Sequence, residues 1–579
     1  MSALSLALDP DPGRRADDAC RLTASLERQG LPLGFTRSWP GITLGWHATP
    51  GQPDSRTQWL ERPDGGMIAC VGTLFHRGRS GPQALAALWD DFIDGASAAS
   101  PALAGEYQVV LARHGRVWLF GDPLGMVKRY ESSDGRVVST SWLACADAQA
   151  RLDPDPVGAL DYVFHGANHG LRTACAQVRI GDPAEVRELV RGVRETHFGA
   201  PFWQPGPLFR DRDEAIARIL ARLRDLATGW AEGFPGRVRS ALSGGFDSRL
   251  LLAVARATGQ QPALHVYGRP DSADVRTARA LDRALGLGLR VIDKASLDHA
   301  QGPRPQGAAH EALLDANLDF FDGLPIDGIG DHGADRITRI AQSADGALAL
   351  NGGGGEVLRN FFHVGDRRLR ARDLVRIFWG GVDIAALRDR SLADALEAHL
   401  VATIARELGH DGILDRQQVE LVYPLLRGRY WTSRNNTMAA RCGHFLTPLL
   451  DPAIVCDAVR LPLAWKAFGR FEGTLIARLD RELGTLPLAD GFAPASGPGA
   501  LARLWALAED LRPPWLRATV ARLRVQRSGG GGSAGDDAGG DDSCFERTRE
   551  LIDPQRLRAP APRARLLTLE RVLARHPRR

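Results

Sequence analysis

The sequence predicts two domains of different texture: an α+β domain on antiparallel sheets over residues 1–205, and an α/β domain with a parallel sheet over 206–527. Three observations carry this. Short β-rich runs separated by Gly-containing turns fill the first part. After Pro205, strand and helix patterns alternate, as βαβ units of a parallel sheet require. A glycine-rich loop joins one of those strands to the helix that follows it.

In chain order, Met67 to Phe75, Glu106 to Arg113, Arg116 to Phe120 and Arg136 to Trp142 read as strands, with a helical stretch near Pro82 to Ile93. Asp211 to Trp230 is a long amphipathic helix, because Ile216, Ile219, Leu220 and Leu223 recur at helical spacing. Arg237 to Leu242, Ala263 to Tyr267, Leu289 to Ile292 and Ala347 to Leu350 are strands; Ser248 to Thr258 and Ala273 to Leu285 are helices. Beyond Arg370 the chain reads as mostly helical. Residues 528–543, SGGGGSAGDDAGGDDS, are too polar to form a core and read as a flexible linker. A helical tail over 544–579 closes the chain, its basic end read as solvated.

The length of 579 residues allows full hydrophobic cores, and 44% hydrophobic with 25% charged residues is ordinary for a soluble globular protein. A formal charge of +4 gives no reason to invoke nucleic acid or an anionic membrane as a partner. Lys128, Lys294 and Lys466 are the lysines, so any mechanism that demands one has these candidates. The seven cysteines are scattered and lack CxxC spacing, which argues against a disulfide framework or a zinc site. The N-terminal residues lack the basic start and long apolar stretch of a signal peptide. No window approaches the roughly 18 apolar residues of a membrane span. The expectation is a soluble, cytoplasmic protein.

The strongest local signal is Ser243-Gly244-Gly245-Phe246-Asp247-Ser248-Arg249, between a strand and a helix. Gly244 and Gly245 let the backbone turn tightly and aim N–H groups at an anion. Ser243 and Ser248 add hydroxyl donors, and the helix N-terminus adds a favourable dipole. That combination is a pyrophosphate cradle. Asp247 would repel phosphate directly, so it makes sense as a Mg²⁺ ligand bridging to the phosphates. GxxxxGK[ST] is absent, so this is not the Walker pattern.

The motif resembles the pyrophosphate loop of the asparagine synthetase family and its wider group of ATP pyrophosphatases. The resemblance implies ATP and Mg²⁺ as cofactors and a reaction that activates a carboxylate as an acyl-adenylate. It places Leu242, Ser243, Gly244, Gly245, Asp247, Ser248 and Arg249 at the nucleotide, and Tyr267 and Gly268 near its adenine. Asn351-Gly352-Gly353-Gly354-Gly355-Glu356 resembles the family's second loop, SGxGxDE, which puts Gly352 and Gly353 at the nucleotide and Glu356 beside Asp247 as a metal ligand. Thr447-Pro448-Leu449-Leu450-Asp451 resembles RVPFLD, with His444 where the family has an acidic residue just before it.

The first domain resembles the family's Ntn-type αββα glutaminase through Leu103-Ala104-Gly105-Glu106-Tyr107 and Gly121-Asp122-Pro123-Leu124-Gly125. The glutaminase nucleophile is an N-terminal cysteine; here position 2 is Ser2, without the GIxG context, and the first cysteine is Cys20. Glutamine is therefore not the expected amine source. Two branches fit that loss, the β-lactam synthetases and the lasso-peptide cyclases. The cyclases adenylate an Asp or Glu side chain of a precursor peptide, whose N-terminal amine closes a macrolactam. An all-glycine second loop with room for a bulky peptide, no tyrosine in that loop, and a long Arg-rich segment after Arg370 favour the cyclase. That reading implies a precursor peptide as substrate, with a leader-processing protease and a leader-binding protein as partners. A small-molecule amide synthetase and a catalytically dead ATP-binding scaffold are the rivals. The catalytic candidates are His444 as base and Lys466 or Arg434 for charge stabilisation, with Glu420, Arg429 and Arg470 behind them.

Overall fold

A computed structural model describes residues 2–49, 58–92, 100, 102–190, 193–198, 203–510, 512–517, 519–520, 544–557 and 559–577. The expected linker 528–543 lies outside the described residues, as do 199–202 and 521–527 beside the expected boundaries.

The first part is built on two antiparallel sheets. One has the order Val178–Ile180, Tyr130–Ser132, Val137–Ser139, Ser2–Leu8, Ile42–Ala48, Leu33–Trp39. The other runs Val193–Phe198, Glu185–Val190, Arg116–Gly121, Leu103–Arg113, Met67–His76, Trp59–Glu61, with Arg79–Ser80 paired to Met67–His76. Their facing side chains, among them Leu4, Leu6, Leu44 and Trp46 against Val71, Val110 and Leu119, form one apolar layer. Alternation along each strand sends the other set outward. On one side Ala3 packs against Leu22 and Leu26 of helix Pro12–Arg28. On the other, Ile68 and Cys70 pack against Leu85 and Leu88 of helix Gly81–Asp91. The result is a helix–sheet–sheet–helix stack.

The second part carries a five-stranded parallel sheet in the order Arg290–Ile292, Ala263–Tyr267, Val238–Ala241, Leu348–Leu350, His444–Leu446. From the central strand Val238–Ala241 the chain first winds outward through two strands on one side. It then crosses back to lay Leu348–Leu350 on the other. The strand order therefore reverses between Val238–Ala241 and Leu348–Leu350. At such a point the loops leaving the two strands diverge and open a crevice beyond their carboxyl ends.

The two parts pack on each other: one apolar cluster includes Phe75, Tyr130 and Trp142 together with Leu250, Leu350 and Leu569. Polar ties add to it. Glu106 accepts from the Thr447 amide at 2.5 Å and from Asn436 at 2.9 Å, and the Lys128 ammonium donates to the Arg429 carbonyl. Helix Pro560–Ala574 docks through Arg571 and Arg575 on Asp315 and Asp319 of helix Ala308–Phe320. Among the described residues no helix is long and apolar enough to cross a membrane.

Candidate functional site

The predicted loop leaves the carboxyl end of Val238–Ala241 and opens helix Phe246–Ala257, with Gly245 as the capping residue. Leu242 continues the strand, its amide donating to the His265 carbonyl at 2.7 Å and its side chain fully buried. The Ser243 amide donates to Ser248 Oγ at 3.0 Å and the two hydroxyls lie 3.0 Å apart, which pins the turn. The Gly244 amide donates to Asp274 Oδ1 at 2.8 Å. A carboxylate oxygen seated on that amide shows that the loop presents an anion-seeking N–H, as a phosphate cradle must.

The second loop leaves Leu348–Leu350, the adjacent strand across the reversal. Asn351 ties it to the next strand through its amide on the Leu446 carbonyl at 2.8 Å. A Cβ on Gly352 would lie 3.1 Å from the Ser248 nitrogen, and one on Gly355 only 2.3 Å from Asp247 Oδ1. These glycines let the two loops touch. They do not open room for a large substrate, so the expectation drawn from the all-glycine run is corrected: close packing of loop on loop explains it.

Asp247 and Glu356 meet as predicted, but around a cation the sequence reading missed. Arg359 Nη2 lies 2.7 Å from Asp247 Oδ1 and 3.9 Å from Glu356 Oε1, and its Nε is 3.5 Å from Glu472 Oε2. Tyr423 donates its hydroxyl to Glu356 Oε2 at 2.7 Å, and the Gly354 amide donates to the same oxygen at 3.1 Å. Burial raises the Asp247 carboxyl above its ordinary range; Arg359 opposes that rise and Glu356 adds to it. Burial and the facing Asp247 push Glu472 up further. Three carboxyl groups thus share one guanidinium. Asp247 Oδ1 is met by Arg359, and the buried Glu472 carboxyl faces Asp247 and Arg359 Nε. An oxygen-rich, cation-deficient set of this kind fits a hard divalent ion such as Mg²⁺.

Arg249 does not face the cradle. Its guanidinium is fully buried and donates to the carbonyls of Leu483, Leu486 and Pro487. That anchor holds the turn whose Ala489 amide donates to the Gly244 carbonyl at 2.9 Å, so Arg249 supports the loop from behind. Tyr267 and Gly268 lie at the carboxyl end of their strand. The Tyr267 hydroxyl accepts from Gln342 at 2.5 Å, and the Lys294 ammonium sits 5.0 Å from its ring centroid.

Of the catalytic candidates, Lys466 reaches the site's back wall. Fully buried, its ammonium donates to Glu420 Oε2 at 2.9 Å and to the carbonyl of Val357, next to Glu356, at 2.7 Å. The other two expectations are corrected. His444 begins strand His444–Leu446 opposite Leu348, at the end of the sheet away from both loops. Its ring packs 4.7 Å from Phe234, and burial lowers its pKa to about 3. Arg434 is locked by Asp322, Tyr130 and the carbonyls of Phe321 and Leu324, between the two parts of the chain. Arg429 is likewise held by Glu407 and the carbonyls of Pro123 and Leu124. Ser2 is buried, its hydroxyl donating to Gln58 at 2.6 Å.

A second group of ligand-type side chains, Asp161, His165 and His169, is already satisfied. Trp379 Nε1–H donates to His169 Nε2 at 3.2 Å, which places the ring proton on Nδ1, 3.0 Å from Asp161 Oδ1. A metal on Nδ1 would drive that proton onto Nε2, against the indole N–H. The group reads as a buried tie between elements.

No family model matches the chain. Over 111 residues it is 39% identical to a tRNA(Ile)-lysidine synthase of Rhodococcus erythropolis (strain PR4 / NBRC 100887); the match covers 18% of this chain and 34% of that protein. The chain thus matches about a third of that relative's length. Among solved structures, a glutamine phosphoribosylpyrophosphate (PRPP) amidotransferase from B. subtilis complexed with ADP and GMP is similar at 10% identity and a TM-score of 0.25, covering 53% of this chain and 94% of that one. An allosteric regulatory enzyme of purine biosynthesis is similar at 9% identity and the same TM-score, covering 51% and 80%.

Proposed function

We propose that this chain is an ATP-dependent synthetase that forms an amide bond by activating a carboxylate as its adenylate, with AMP and pyrophosphate as nucleotide products. The observation that carries this is the meeting of two glycine-rich loops at the strand-order reversal. There the anion-seeking amide of Gly244 stands beside the carboxylates of Asp247 and Glu356. Ser243, Ser248 and the helix N-terminus would hold the β- and γ-phosphates. Asp247 and Glu356, with Glu472 behind them, would hold Mg²⁺, which when bound offsets the negative charge of the phosphates. Arg359, now drawn to the carboxylates, is placed to turn toward phosphate oxygens once they enter. The short match to a tRNA(Ile)-lysidine synthase supports the synthetase class.

The finer reading is macrolactam formation in a lasso precursor peptide: an Asp or Glu side chain is adenylated and attacked by the peptide's N-terminal amine, with no call on glutamine. A leader-processing protease and a leader-binding protein are the partners this reading requires. Its support is the segment after Arg370, where helices Ala371–Phe378 and Ser391–Leu408 add surface that a small substrate does not need. A small-molecule amide synthetase is the second reading. It gains from the glycine run being explained by loop contact rather than by substrate room. The test is pyrophosphate release from MgATP with free peptides carrying an internal Asp or Glu, set against small amino acids. Peptide-dependent release with a product one water lighter supports the cyclase. Release with small amino acids alone moves the chain to the second reading. No release with any substrate, even with protease and leader-binding protein added, overturns the synthetase.

A further inference from the structure

A second space lies away from the loops. A cavity of about 430 Å³ opens at the other end of the parallel sheet, where Ala344 and Asp345 lead into Leu348–Leu350 and Cys442 leads into His444–Leu446. Gln29 and Leu31, just beyond helix Pro12–Arg28, form one wall, and Phe320, Ile340, Arg336 and Arg441 form the other. This volume is in the range of pockets that enclose small organic ligands, which are mostly apolar with a few placed polar groups.

The polar groups here are cations in excess. Asp322 is fully buried and its one carboxylate is shared by two buried guanidinia, Arg434 at 2.8 Å and Arg441 at 2.9 Å. The cluster therefore carries a net positive charge out of water, a costly state unless an anion joins it. Arg434 is saturated by carbonyls and Tyr130, whereas Arg441 lines the cavity, its Nη1 on Asp322 at 2.9 Å and its Nη2 on Gln29 Oε1 at 2.5 Å. At the mouth, Arg336 lies 5.1 Å from the Phe320 ring centroid and makes no ion pair among the described residues. The carboxylate on the lining, Asp345, has a side chain 87% exposed and faces Arg239.

We propose that this cavity is a binding site for a small organic monocarboxylate with an aliphatic or aromatic body, separate from the nucleotide loops. The carboxylate joins Arg441 and Arg336, and the body lies on Leu31, Phe320 and Ile340. Such a ligand bridges the two parts of the chain, because its walls come from both.

The test is calorimetric titration of the full chain with hexanoate and 3-phenylpropionate, and with their neutral primary amides. At least one acid binds at millimolar concentration or tighter. Its amide binds about tenfold or more weakly, the loss expected for a charge-assisted contact. Saturating ATP leaves the acid's affinity unchanged. Ala344→Phe, which fills the space, abolishes binding, and the exposed Arg336→Gln change weakens it several-fold in a chain whose fold it leaves alone. Acid and amide binding alike, binding indifferent to both variants, or no binding by either acid overturns the proposal.

Discussion

Replacing Arg359 with methionine removes the cation that, among the described residues, pairs with Asp247, Glu356 and Glu472, while nearly keeping its volume. At an effective dielectric of about 20, the 2.7 Å contact with Asp247 alone is worth roughly 6 kcal/mol of gross attraction. Desolvation offsets much of that, and breaking a buried pair costs about 3–5 kcal/mol net. The Arg359 and Asp247 side chains are 25% and 19% exposed, so water takes up part of the loss and the low end applies, about 3 kcal/mol. The sign with pH follows from the carboxyls. Asp247 and Glu472 have folded pKa values raised above the ordinary 3.8 and 4.5, so the folded chain binds more protons than the unfolded one over that interval, and stability rises as pH falls. Losing Arg359 raises those values further. The deficit is therefore largest at alkaline pH and shrinks toward acid, and millimolar MgCl₂ recovers part of it if the carboxylates accept the ion. Urea midpoints of wild type and variant at pH 8 and pH 6, with and without MgCl₂, read all three effects. An unchanged midpoint, or a deficit indifferent to both pH and Mg²⁺, would refute the electrostatic account of the site.

Gly355→Ala sets a methyl 2.3 Å from Asp247 Oδ1, so the loops must part; we expect about 1–3 kcal/mol of lost stability and a loss of ATP turnover at unchanged expression. Glu420→Gln and Lys466→Met should be unequal. The first leaves Lys466 and Arg416 buried without their carboxylate, about 3–5 kcal/mol, whereas the second leaves Glu420 still paired with Arg416 and costs less; equal losses in denaturant titrations would contradict the pairing. Burial lowers the His47 pKa to about 4 from 6.5, so the unfolded chain binds the extra proton in that interval and stability is lost as pH falls through it, by about 1.4 kcal/mol per unit. His47→Gln should flatten the acid limb of the stability profile by about one proton, and an unaltered slope would show that the ring is not held neutral.

The cradle was legible because its signal is local: a short strand, a glycine pair and a helix start within one short run, Val238 to Ala257. The parallel sheet was legible for the same reason, through helices at Phe246–Ala257 and Ala273–Leu285 alternating with strands. Strand Ser2–Leu8 was missed because it is buried on both faces and so lacks the polar alternation of a half-exposed strand. Arg359, Glu472 and Asp274 were missed because they converge from separate elements. One had a readable signal: Glu472 follows Phe471 and precedes Leu475 and Ile476 on the buried face of its helix, where a carboxyl needs a partner. His444 and Arg434 were misplaced because residue type carries chemistry but not position. Nothing local says at which end of its strand a histidine stands, or that an arginine faces Asp322.

In the proposed reaction the two loops bind ATP and direct its cleavage between the α- and β-phosphates. The most direct measurement is the fate of ATP labelled at the α-phosphate, incubated with the full chain, MgCl₂ and the acid substrates above, beside the Asp247→Ala variant. The account predicts labelled AMP with matching pyrophosphate from the wild type and neither from the variant. Labelled ADP with inorganic phosphate, or AMP formed equally by the variant, would contradict it.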